Sequence, residues 1–239
     1  MTVDGRYETA VQLIRTGSYM QAAAILTELG DYKDSADMLE EAYAGKAVSL
    51  SRTDVDNAAA ELQAMDPQTA SAIISKMDPA FAAPLVIMTA QPGDIIRFGH
   101  YEQDNDQGNG AEWIEWTVLA REDDVLTLIS SYALDIHAYH DEPREIDWAS
   151  CGLREWLNGE FFENAFSSGE QDRISPVTVH NPDLPEYGIS GGPDSVDRVS
   201  LLSISEAEQY FPSDPDRRAE ATVYAAERGA NTDEEGYAS

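Results

Sequence analysis

Cys151 is the single cysteine of the chain, and the thiol is the first candidate for a nucleophile, although no second cysteine accompanies it. It directly precedes an aromatic, helix-forming run, where the helix dipole would favour a thiolate. The plainer alternative is a packed, inert thiol. His137 and His140 stand three residues apart with Asp135 and Asp141 beside them. On a helix that spacing would aim two imidazoles at one metal; the segment reads as a loop after a strand, and no further ligand spacing supports it. Asp104, Asp106 and Glu115 fall at positions one, three and twelve of a calcium-loop register. Gly108 and Asn109 occupy positions five and six, where Asp or Asn and then Gly belong, so an acidic hairpin loop is the simpler expectation. His100 and His180 are isolated. The loop Gly188 to Asp197, with Gly191-Gly192-Pro193, lacks the lysine and helix of a phosphate loop. No Gly-x-Ser-x-Gly elbow or triad spacing occurs, and no carboxylate pair stands out among 45 acids. The sequence therefore nominates no catalytic, cofactor-binding or metal-binding residue and no cofactor.

The charge is −30 and uneven. Residues 1–91 carry 13 acids against 6 bases, and residues 92–239 carry 32 against 9. Such a field repels phosphate backbones and anionic lipid, so nucleic acid and membrane surfaces are poor partners. It keeps a protein soluble, and it also attracts cations and basic partners. Apolar residues, at 42%, suffice for packed cores. No apolar run approaches a membrane span, and no basic start followed by an apolar block marks a secretory signal. The single cysteine excludes an internal disulfide framework. These features fit the cytoplasm; a cell-surface location fits too if the chain is a fragment. Every lysine (Lys33, Lys46, Lys76) precedes Gln91-Pro92-Gly93, which places a boundary there, between residues 1–91 and 92–239.

The elements follow from periodicity. Tyr7, Ala10, Leu13 and Ile14 have helical spacing up to the Gly17-Ser18 break. Tyr19, Ala22, Ala23 and Leu26 restart it as far as Gly30. A third helix opens at Asp34-Ser35, either of which can cap it, and runs through Met38, Leu39 and Ala42. Tyr43, Ala47 and Leu50 then echo Tyr7, Ala10 and Leu13. Met65-Asp66-Pro67 recurs as Met77-Asp78-Pro79, each an Asp cap followed by Pro in the first helical position; Leu62, Ile73, Ile74, Phe81, Leu85 and Ile87 form the expected buried stripe. Beyond Gly93, strands are expected at Gly93–Gly99, at Trp113–Leu119 with Ile114, Trp116 and Val118 on one face, at Val125–Ser130 after a tight Glu122-Asp123-Asp124 turn, and at Val199–Ile204. Trp148–Phe166 reads as one or two helices broken at Asn158-Gly159, burying Leu153, Trp156, Leu157, Phe161, Phe162 and Phe166. Ser167 or Ser168 with Glu170 or Gln171, and Ser203 or Ser205 with a Glu three residues on, are capping-box patterns.

Several stretches resemble known families. The Tyr/Ala spacing and Leu29-Gly30-Asp31-Tyr32-Lys33-Asp34-Ser35 resemble tetratricopeptide-like repeats common in gut bacteria. The Met-Asp-Pro pair is similar to helical repeats at the N-termini of magnesium-transporter cytoplasmic domains, and reads as further helical packing. Gly93-Asp94 with Phe98-Gly99-His100-Tyr101, then Glu115-Trp116-Thr117-Val118-Leu119, Leu153-Arg154-Glu155-Trp156-Leu157-Asn158 and Asp197-Arg198-Val199-Ser200-Leu201-Leu202-Ser203 resemble, in that order, an uncharacterised domain-of-unknown-function family of Firmicutes and Actinobacteria. Its layout is similar to the C-type-lectin-like fold of formylglycine-generating enzymes and variable ligand-binding proteins. In that family a Gly-Tyr-rich segment like Gly236-Tyr237 is followed by Trp-Trp-Leu-Arg-Ser-Pro-Gly and closing strands, so the resemblance implies a domain truncated at its C-terminus.

The expected architecture is α+β: an N-terminal α-helical repeat array (1–91) followed by a mixed α+β, C-type-lectin-like domain (92–239). The expected function is a non-enzymatic ligand- or protein-binding module on a helical repeat platform, with a protein or carbohydrate ligand. The alternatives are an enzyme related to the formylglycine-generating group, acting through Cys151, and an intracellular scaffold acting through the repeats.

Overall fold

A computed structural model describes residues 2–183, 188–234 and 236–238. The chain divides into two compact units, Met1–Gln91 and Pro92–Ser239.

The first unit is helical. Helices α1 (Val3–Arg15), α2 (Tyr19–Leu29) and α3 (Ser35–Leu50) pack in sequence, followed by α4 (Val55–Gln63), α5 (Pro67–Ile74) and α6 (Pro79–Thr89). Helix α3 joins two cores. Its Ala42 packs with Ala10, Ile14, Ala22, Ala23 and Leu26, and its Ala47 and Leu50 pack with Ala58, Leu62, Ile73 and Leu85. Leu26, Leu50, Leu62, Ile73 and Leu85 are at most 1% exposed, and each contributes about 1.5–3 kcal/mol by its burial. Small residues let the helices close up: a Cβ at Gly45 would enter the Tyr19 ring. Asp54 and Asp66 cap α4 and α5, accepting from Asn57 N–H at 3.0 Å and Thr69 N–H at 2.9 Å. The expected cap at Asp34 does not form. Its carboxylate accepts instead from the Tyr7 hydroxyl, tying α1 to the α2–α3 hinge.

The second unit is mixed. Strands β1 (Ile95–Tyr101), β2 (Glu112–Glu122) and β3 (Val125–Ser130) form an antiparallel meander. Asp123 supplies the positive φ of the β2–β3 turn. Strand β4 (Tyr132–Ala133) pairs parallel to β7 (Ala219–Ala221), and β7 pairs antiparallel to β8 (Tyr237–Ala238). Strands β5 (Val177–Val179) and β6 (Ser195–Asp197) form a separate antiparallel ribbon. The short helices are α7 (Gly152–Trp156), α8 (Phe162–Ala165), α9 (Ser168–Gln171), α10 (Ile204–Tyr210) and α11 (Val223–Glu227).

One face of the meander is core. Ile96, Phe98, Ile114 and Val118 are buried there, and the aromatic segment covers them. Phe166 lies 5.5 Å from Phe98 and 6.2 Å from Trp116 between ring centroids, and Phe161 lies 5.2 Å from Tyr101. Gly99 permits this contact. It has φ +73° where the β1–β2 register shifts, and a Cβ there would sit 2.5 Å from the Phe166 ring.

Two expectations need correction. Asn158-Gly159 does not break the helix; Leu157–Phe161 widens into a π-turn between α7 and α8. The strand expected at Val199–Ile204 is absent, and β6 lies earlier, at Ser195–Asp197. The missing strand follows from Asn158, whose side-chain oxygen accepts from Arg198 N–H at 2.7 Å and Val199 N–H at 3.2 Å while its amide donates to Val199 O at 2.8 Å. Backbone groups held that way cannot join a ladder. Both serine boxes form, at Ser167/Glu170 and Ser203/Glu206.

Candidate functional site

The residues suited to chemistry are mostly committed to structure. Cys151 is 2% exposed. Its sulfur caps α7, accepting from Arg154 N–H at 3.4 Å. Burial, followed by the nearby Cys151, pushes the Tyr139 phenol up to about 12. His137 and His140 do not converge. His137 stacks on Trp156 at 4.8 Å. His140 has Arg144 Nε 3.0 Å from Nε2 and Gly152 N–H 3.2 Å from Nδ1; a neutral imidazole accepts at only one of its nitrogens, so one of these two donors is its hydrogen-bond partner and the other only a close neighbour. Asp135 is engaged as well. It accepts from Tyr101 Oη at 2.7 Å and pairs with Arg228 at 2.8 Å. Burial, then Asp135, holds the Tyr101 phenol far above its ordinary range. In the loop preceding β6, His180 pairs with Asp194 at 2.7 Å.

The calcium-loop register is not assembled as spaced. Glu115 lies on the sheet, paired with Arg97 at 2.8 Å. Asp106 accepts from Gly108 N–H at 3.0 Å. A different set comes together: Glu102, Asp104 and Glu112 each bring one oxygen within 4.8 Å of the others. Hairpin pairing causes this, since Tyr101 is opposite Glu112 and the loop folds back between them. Burial, then the Glu112 charge, raises the Glu102 carboxyl. Donation from Asp106 N–H and the Asn109 amide lowers Asp104. Three carboxylate oxygens at this spacing suit a hard cation. Glu102 and Glu112 were legible only through strand register, not through motif spacing.

The other face of the meander is open. Direct pairing and two-residue alternation put Ile95, Arg97 and His100 of β1 on it, with Trp113, Glu115 and Thr117 of β2 and Ile129 of β3. Ile95 is 61% exposed and Trp113 is 48% exposed. The His100 ring lies 3.8 Å from the Trp113 ring, and Gln103 Nε2 donates to Trp113 O at 3.0 Å, fixing the acidic loop beside the indole.

A buried polar clasp lies elsewhere. Asp197, with a fully buried side chain, accepts from Arg154 Nε at 2.6 Å, Ser195 Oγ at 2.7 Å and Trp148 Nε1 at 2.9 Å. Together with Asn158 it joins the Leu153–Asn158 and Asp197–Ser203 segments into one structural joint.

Fold and geometry thus define a small α+β domain with a buried polar joint and an open aromatic sheet face. A domain of unknown function (DUF6273) is found at residues 123–238. The matched span starts in the β2–β3 turn, so β1, β2 and Trp113 precede it. No curated protein and no solved structure matches the chain. Among the described residues no helix is long and apolar enough to cross a membrane.

Proposed function

We propose that the second unit is a non-enzymatic recognition module for a protein or carbohydrate, carried on a tetratricopeptide-like helical platform. The observation that carries this reading is Trp113: a large indole left 48% exposed on the open sheet face and ordered by His100 at 3.8 Å. Solvent-facing aromatic rings held rigidly give contact area at little entropic cost and serve recognition. The commitment of Cys151, His140 and Asp135 to caps and pairs supports binding over catalysis. The α1–α3 packing of tyrosines against small residues supports the repeat reading, and the C-type-lectin-like kinship rests on the ordered motifs in the sequence. The test is a mixed array of glycans and peptides probed with the full chain and with Trp113→Ala. Hits that vanish in the variant, with thermal melting unchanged, are expected. Hits that persist, or identical blanks for both proteins, would refute the assignment of this face.

A further inference from the structure

We infer that the ligand of the open meander face is a basic peptide segment, an arginine or lysine side chain of which lies over Trp113. This deepens the proposed function and rests on it. The argument is charge complementarity on an unpartnered face. Between Tyr101 and Trp113 the loop carries Glu102, Asp104, Asp106 and Glu112 and no Lys, Arg or His. Asn105 draws Glu227 to the same loop through a hydrogen bond. On the face itself, Arg97 is neutralised by Glu115 through Nε at 3.0 Å and Nη2 at 2.8 Å. The indole therefore sits beside an acidic loop, in a unit with 32 acids and 9 bases. An aromatic face attracts a cation through its quadrupole, and surrounding carboxylates add steering. Asp104 and Asp106 are exposed, so they are available to the incoming charge. A neutral glycan would use the ring and leave the acidic loop without a role.

The experiment measures binding of a fluorescein-labelled alternating Arg-Ser decapeptide to the full chain. The same peptide with citrulline for arginine, and a neutral oligosaccharide array, run alongside. The arginine peptide is expected to bind and to weaken with added salt. The citrulline peptide should bind about tenfold more weakly. Trp113→Ala should weaken the arginine peptide about threefold to fivefold, with Trp113→Phe intermediate. Asp104→Asn with Asp106→Asn should weaken it and flatten its salt dependence. Arginine-peptide binding that is indifferent to Trp113→Ala would overturn the inference as mere charge attraction. Glycans or the citrulline peptide bound as well as the arginine peptide, and lost in Trp113→Ala, would overturn the basic partner while keeping the recognition face. No Trp113-dependent binding of any probe would overturn both.

Discussion

Asp197→Ala should destabilise the second unit more than any exposed acidic substitution in the chain. The carboxylate is fully buried and receives three donors, from Arg154, Ser195 and Trp148. Removing one member of a buried charge pair costs about 3–5 kcal/mol because its partners are left unsatisfied. Arg154 keeps acceptors at Ala149 O and Val196 O, and its side chain is 27% exposed, so the lower end applies, about 3 kcal/mol. At roughly 2–4 °C per kcal/mol for a unit of this size, the midpoint should fall by about 6–12 °C. All four tryptophans (Trp113, Trp116, Trp148, Trp156) lie beyond Gln91, so tryptophan emission during a thermal melt of the full chain reports on this unit alone. Arg154→Ala should cost a similar amount, because it leaves a carboxylate with no solvent access without its cation, held only by Ser195 and Trp148. The double variant should lose less than the two single losses added together, by at least about 1 kcal/mol. A midpoint shift below about 2 °C for Asp197→Ala, or strict additivity, would refute the claim that this clasp holds the unit together.

Gly99→Ala should cost about 1–3 kcal/mol, read as a lower melting midpoint, since the new methyl combines positive φ with the Phe166 ring and the Ala165 carbonyl. For Glu170, burial raises the carboxyl, but donation from Ser167 Oγ, Ser167 N–H and Gly99 N–H outweighs it and holds the group below its ordinary range. Its stabilisation is therefore present above the unfolded carboxylate's pKa and disappears as pH falls through the lower folded value; Glu170→Gln should melt lower than the parent at pH 7, with the gap closing in acid. Tyr139, pushed up to about 12 by burial and Cys151, should stay protonated at pH 11 in an ultraviolet titration, so Tyr139→Phe should not reduce the phenolate signal there. Because the unfolded chain ionises this phenol first, stability should fall as pH climbs from about 10 towards 12. Cys151→Ser should fold normally, since a hydroxyl caps α7 as well as the thiol does, and native Cys151 should resist a water-soluble disulfide reagent until denaturant is added.

The parts of this fold that were legible in the sequence are those dictated by local chemistry. Gly17-Ser18 and Gly30 ended helices, Asp66-Pro67 began one, and the serine–glutamate boxes at Ser167 and Ser203 formed as their spacing required. The meander was legible because Ile114, Trp116 and Val118 alternate with Glu115 and Thr117, and Asp123 tolerates a left-handed turn. Two of the failures share a cause: a distant side chain outcompeted the local preference. Val199-Ser200-Leu201-Leu202 has strand composition, yet Asn158, about forty residues away, takes its first N–H groups. Asp34 is a good cap by type, yet Tyr7 reaches it first.

The same logic governs the site. Motif spacing put Asp104, Asp106 and Glu115 in one loop register, but a hairpin sorts side chains by strand pairing, not by distance along the chain. Glu115 points to the open face with Arg97, while Glu112, opposite Tyr101, joins Glu102 and Asp104. The conspicuous Leu153–Asn158 and Asp197–Ser203 segments looked like separate signals. In space Arg154 meets Asp197 and Asn158 meets Arg198 and Val199, so they are two halves of one joint. A joint of this kind fixes the scaffold and makes no demand on a ligand. Trp113 does the reverse. It belongs to no motif, contributes nothing to the buried core, and still occupies an open strand position held by His100 and Gln103. Within this unit the buried pairs explain the fold, and the exposed ring beside the acidic loop is a feature that folding alone leaves unexplained.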